Sequence, residues 1–172
     1  MLIVTHNNIL NSKVQAIVNP ANTSLLAGSG LCGVIHNHAG RELELHCKSL
    51  GKINEGEVAI TPSFGLTSFN HILHAAGPRY LNGKHHEAEK LTMVHFKIVK
   101  TCVEHDIKSV AIPAISTGVY RYPVTEAAHI AITTLSQSIE HLEADLQVEI
   151  VLNDERMYEV YQNTLIDVNQ GK

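Results

Sequence analysis

Two short runs carry the residue types that hold an anion without a basic side chain. The first is Gly28-Ser29-Gly30-Leu31-Cys32-Gly33. The second is Ser116-Thr117-Gly118-Val119-Tyr120. Glycines let the backbone come close to phosphate oxygens, and a helix start supplies unpaired N–H groups with a positive dipole end. The first run stands before a segment with helical spacing, so the chemistry it suggests is recognition of a phosphate-containing ligand.

The spacing of 28–33 also fits a GxGxxG dinucleotide fingerprint, which should follow its strand at once and carry an acid at the end of the next strand. Here eight residues separate Asn19 from Gly28, and Glu57 would begin its strand rather than end it. A Walker A loop fails too, because Val34-Ile35 stands where Lys-Ser/Thr is required. A plain turn that needs glycine remains the bland alternative. Among the twelve histidines, the groupings His36/His38, His85/His86 and Cys102/His105 lack a convincing second pair, which argues against zinc and for helix-surface and loop histidines. Cys32, Cys47 and Cys102 are odd in number and show no CxxC, which argues against a disulfide framework. The net charge of −4 leaves any phosphate to local dipoles and argues against a nucleic-acid partner.

These runs need elements to position them. With 172 residues, 44% hydrophobic and 17% charged, the expectation is one domain over residues 1–172 with a two- or three-layer core. No apolar stretch approaches the roughly 18 residues of a membrane span, and the first residues show no secretory pattern, so the default expectation is a cytoplasmic address. Strands are expected at 2–5, 14–19, 57–61, 71–75, 109–115 and 147–152. Helices are expected at 34–50, 87–105, 124–142 and 155–168, the first with Ile35, Ala39, Leu43, Cys47 and Leu50 on one face and Gly51 as its cap. Such alternation predicts a three-layer α/β/α sandwich around a mixed, largely parallel sheet, with ligands at the carboxyl ends of its strands.

Taken together, the segments resemble the macro domain family across nearly the whole chain, most closely its MacroD-type branch. The likeness lies in Val14-Gln15-Ala16-Ile17-Val18-Asn19-Pro20-Ala21-Asn22, in 28–36 with Ala39-Gly40, in Gly56-Glu57-Val58-Ala59-Ile60-Thr61, in His74-Ala75-Ala76-Gly77-Pro78 and in Pro113 through Pro123. The resemblance implies binding of ADP-ribose. In many members it also implies hydrolysis of ADP-ribose from acidic protein side chains or of O-acetyl-ADP-ribose, with no cofactor or metal. The partners it implies are ADP-ribose, O-acetyl-ADP-ribose or an ADP-ribosylated protein. The runner-up reading is a non-catalytic reader.

Carried over by residue, the resemblance implies that Ser29, Gly30, Leu31, Cys32 and Gly33, with Ser116, Thr117, Gly118, Val119 and Tyr120, hold the diphosphate. Asn22, beside Ala21, would hold the distal ribose, against which the Tyr120 ring packs. Asn8, with Ile9, would meet the adenine. Four positions depart from the family pattern: Asn8 replaces an Asp, Asn153 an aromatic, Arg121 a Gly, and Cys32 the Asp thought to orient the attacking water. Arg121 could clamp phosphate or narrow the pocket. Asn22 and Cys32 are the catalytic candidates, and a nucleophilic Cys32 lacks an assignable His-Asp partner.

Overall fold

A computed structural model describes all 172 residues. Six strands form one sheet in the order β1-β6-β5-β2-β4-β3. They are β1 (Leu2–His6), β2 (Ala16–Ala21), β3 (Val58–Pro62), β4 (His71–Ala76), β5 (Ser109–Ile112) and β6 (Gln147–Leu152). All pairings are parallel except β3 against β4, so five strands point the same way and one edge strand runs back.

Alternation along the strands divides the core in two. Ala16 and Val18, Leu73 and Ala75, Val110 and Ile112, and Val148 and Ile150 face one layer. That layer is α3 (Glu87–Glu104), α4 (Val124–His141) and α5 (Glu155–Asn169). Ile17, Ala21, Ile72, Ala111 and Val151 face the other, made by α1 (Gly30–Ala39) and α2 (Arg41–Leu50). This is the expected α/β/α sandwich with a mixed sheet. No helix is long and apolar enough to cross a membrane.

Several boundaries differ from expectation. The helix expected over 34–50 is two helices, broken at Gly40, whose φ of 88° lies in the left-handed region. The break frees the carbonyl of Ala39 to accept the Gly65 N–H at 2.9 Å. The first helix also begins earlier, at Gly30. The second strand runs two residues further than expected and includes Pro20, whereas β5 stops at Ile112, before Pro113. Both follow from one feature: β2 and β5 pair only at Ala16↔Val110 and Ile17↔Ala111. Beyond that point the strands are no longer paired, so Pro20 breaks no ladder on the β5 side.

The histidines also depart from the surface reading. His36, His74 and His95 are buried. His74, on β4 opposite Asn19 of β2, has its Nδ1 3.0 Å from the Asn19 Nδ2 and its Nε2 3.0 Å from the Thr61 Oγ1. A carboxamide nitrogen only donates, so Nδ1 accepts and the proton sits on Nε2. Burial holds His74 neutral, with a pKa lowered to about 3.

Candidate functional site

Where β2 and β5 part, a cleft of about 530 Å³ opens along the carboxyl ends of the parallel strands. Each wall is the segment that follows a strand: Asn7 and Asn8 after β1, Asn22 after β2, Gly77 after β4, residues 113–120 after β5, and Asn153 after β6.

Asn22 and residues 28–32 form one wall. The Asn22 side chain braces it, donating from Nδ2 to the Leu26 carbonyl at 2.9 Å and accepting from the Leu26 N–H at 3.2 Å. The first turn of α1 then opens with Ser29 in the cap position, whose side chain makes no capping bond, so its N–H groups point out unpaired. Cys32 lies four residues before His36 on the buried side of this helix and is only 5% exposed. Burial pushes its thiol pKa up, with the Gly28 N–H and the Asn19 amide pulling weakly the other way. A helix start alone would lower a thiol pKa. Here desolvation wins, and the group is a neutral thiol.

The second wall is residues 116–120. Ser116 is in the left-handed region at φ 67° and its buried Oγ has no partner. The segment is pinned by Thr117 Oγ1 donating to the Ala114 carbonyl at 2.9 Å, by Arg121 N–H to Gly118 O at 3.0 Å and by Tyr122 N–H to Ser116 O at 2.9 Å. No backbone carbonyl takes the N–H groups of residues 116–120. A run of free backbone donors on a braced loop is an anion cradle. Gly77 permits it: a Cβ there would overlap the Ser116 Oγ.

The cleft lining contains no Asp, Glu, Lys, Arg or His. Its polarity comes from backbone groups, asparagines and hydroxyls. Arg79 and Arg121 stand outside it, the Arg79 guanidinium 5.4 Å over the Tyr120 ring. Arg121, at φ 61°, occupies a left-handed position next to Tyr120 and does not line the cleft.

Of the residues singled out from sequence, Asn8, Ile9, Ala21, Asn22, Ser29, Gly30, Leu31 and Cys32 line the cleft. So do Ser116, Thr117, Gly118, Val119, Tyr120 and Asn153. Gly33 does not. A Cβ on it would run into the Gly28 carbonyl, so its role is to let the loop fold back on α1. Sequence reasoning missed Asn7, Leu152 and Met157, which line the end near Asn8. The signal was available: each lies at or just after the carboxyl end of a strand or in the first turn of the helix that follows.

Residues 18–131 match the family model of the macro domain. This chain belongs to the macro domain family. An O-acetyl-ADP-ribose deacetylase of Citrobacter rodentium is 37% identical over 166 residues, covering 94% of this macro domain and 93% of the deacetylase. The macrodomain of Oceanobacillus iheyensis, solved with ADP, superposes with a TM-score of 0.93 at 34% identity, over 99% of this chain and 93% of that one. A Trypanosoma brucei macrodomain in complex with ADP-ribose superposes with a TM-score of 0.85 at 26% identity, over 94% of this chain and 68% of that one.

Proposed function

We propose that this macro domain binds ADP-ribose along the cleft and hydrolyses it from acidic protein side chains, from O-acetyl-ADP-ribose, or from both. The observation that carries the reading is the pair of facing backbone donor sets, the first turn of α1 and residues 116–120, across a cleft with no charged side chain. A diphosphate spans two such cradles. The base then lies toward Asn8, Ile9 and Asn153, and the distal ribose toward Asn22 and Tyr120. The names of the relatives support the ligand class.

In the hydrolysis, water adds to the anomeric carbon or to the acyl carbon. The carbon–oxygen bond breaks, and a free carboxylate and ADP-ribose result. Glycosidases serve such chemistry with paired carboxylates, which this cleft lacks. An acyl leaving group needs less help, and placement of ribose and water carries the acceleration. The diphosphate itself polarises the water, and Asn22 fixes the ribose.

The same absence of an acid or histidine favours a second reading, a reader that binds ADP-ribosylated protein without cleaving it. One incubation separates the two. With a glutamate-mono-ADP-ribosylated protein, the hydrolase releases free ADP-ribose in the time course, whereas the reader retains the modified protein and releases none. If calorimetry finds ADP-ribose bound no better than AMP, both fail.

A further inference from the structure

Two of the four arginines of the chain, Arg79 and Arg121, flank Tyr120 at the rim of the cleft. Arg121 closes the turn of the rim, its N–H bonded to the Gly118 carbonyl at 3.0 Å. The Tyr120 carbonyl accepts the Tyr80 N–H at 2.9 Å, which joins this turn to the segment carrying Arg79. The Arg79 guanidinium lies 5.4 Å over the Tyr120 ring. Both arginines are exposed, and neither is ion-paired. Glu55 takes the Arg79 backbone N–H at 2.8 Å and pairs with Lys90 at 3.0 Å rather than with the guanidinium. Glu126 accepts from the hydroxyl of Tyr122, next in the chain to Arg121, at 3.2 Å.

Neither arginine lines the cleft, so a ligand held wholly inside it leaves both unused. The proposed function puts the distal ribose beside Tyr120, and whatever is joined to that ribose leaves the cleft at this rim. An acetyl group ends there within a few atoms. A polypeptide continues: extended backbone advances about 3.3 Å per residue, so three residues to either side of the modified one cover about 10 Å. A guanidinium presents a planar fork of donors that matches a carboxylate. We infer that this macro domain takes ADP-ribose carried on protein, at a side chain with acidic neighbours, and that Arg79 and Arg121 are the residues that contact those neighbours. The inference rests on the proposed function, because that reading places the distal ribose at the Tyr120 end.

In a chain of net charge −4 the pair acts at contact and not from afar. Exposed ion pairs are individually weak, so two of them give a preference of about threefold to tenfold and no more. A nucleic-acid strand asks for a longer track of cations with free aromatic faces between them. Here there are two cations and one ring, and Arg79 already covers that ring. An acidic peptide segment fits the supply.

The test is calorimetric titration with free ADP-ribose and with two peptides that carry ADP-ribose on a glutamine amide, the hydrolysis-resistant isostere of the glutamate ester. One peptide has Asp and Glu around the modified residue, the other Ser and Gly. The proteins are the wild type, Arg79→Gln, and Arg121→Asn, whose new side chain tolerates the left-handed position. The wild type binds the acidic peptide about threefold to tenfold tighter than the neutral one. Raising the ionic strength from about 0.1 M to about 1 M shortens the screening length from about 10 Å to about 3 Å and erases that ratio. Each substitution lowers the ratio and leaves free ADP-ribose within about twofold. A wild-type ratio below about twofold overturns the inference, as does a ratio that survives high salt or both substitutions. An equal loss for free ADP-ribose in Arg79→Gln overturns it too, because Arg79 then only holds the Tyr120 ring. So does a short single-stranded oligonucleotide that displaces the acidic ligand better than an unmodified acidic peptide does. Failure of free ADP-ribose to bind the wild type overturns the proposed function as well; every other adverse result overturns this inference alone.

Discussion

The side chains of Asn22 and Cys32 meet at one backbone oxygen: the Leu26 carbonyl accepts the Asn22 Nδ2–H at 2.9 Å and lies 3.7 Å from the Cys32 Sγ. Gly28 closes the same corner, since a Cβ on it would sit 3.6 Å from each of the two side-chain atoms. The two residues that the sequence offered as catalytic candidates thus both hold the shape of this wall.

Removing the Asn22 carboxamide should therefore show two separable effects. Asn22→Ala loses both bonds to Leu26, costing about 1–2 kcal/mol of stability. If Asn22 also fixes the ribose, turnover falls by about 10²-fold or more, beyond what that loss of stability produces. Melting temperature and kcat, measured on the same preparation, separate the two. A normal kcat in a less stable variant confines Asn22 to bracing.

Cys32 should behave as a buried thiol that fills space and leans on Leu26. Cys32→Ser retains a donor for that carbonyl and keeps most of the turnover. The wild-type rate should show no inflection between pH 6 and about 9 from this group, because burial raises its pKa above the ordinary range. Loss of all activity in Cys32→Ser with ADP-ribose binding intact would instead reveal a nucleophile.

Two glycines should fail in opposite ways. A Cβ on Gly118 meets nothing within 4 Å, so Gly118→Glu folds and melts as the wild type. Its carboxylate beside a ligand anion should weaken ADP-ribose binding by at least about tenfold, since like charges a few ångströms apart near a surface repel strongly. Gly33→Ala, which drives a Cβ into the Gly28 carbonyl, should cost about 1–3 kcal/mol of stability though Gly33 does not touch the cleft. Unchanged affinity in folded Gly118→Glu would move the ligand elsewhere.

Acid should loosen the start of α3 through Glu87. Burial acts to raise the pKa of this carboxylate, but N–H bonds from Gly83, Leu81, His85 and Asn82 override it and bring the value down from 4.5 to about 2. A carboxylate with a depressed folded-state pKa contributes fully above its unfolded value and loses that contribution as pH falls through the folded one. The stability gap between wild type and Glu87→Gln should be constant above pH 4.5 and shrink toward pH 2. Urea midpoints across that range measure it, and a gap that does not shrink refutes the assignment.

The strands and the two loops were legible because they follow local rules: apolar runs ended by turn residues, and glycines before a helix. The break at Gly40 was not, because Ile35, Ala39, Leu43 and Cys47 keep helical spacing across it. Gly40 takes a left-handed conformation there, and Gly65, distant in sequence, donates to the Ala39 carbonyl that the break leaves free. Pro20 hid the end of β2 for a similar reason: whether a proline breaks a ladder depends on the strand beside it, and β5 has already stopped pairing there.

A cleft whose walls carry no charge, in a chain of net charge −4, exerts little pull on an anion at a distance. Encounter with a diphosphate is then left to ordinary diffusion and correct orientation, and rising ionic strength has little to screen. Selectivity resides in dwell time: how long the fixed backbone donors of the two walls keep a ligand that has arrived by chance.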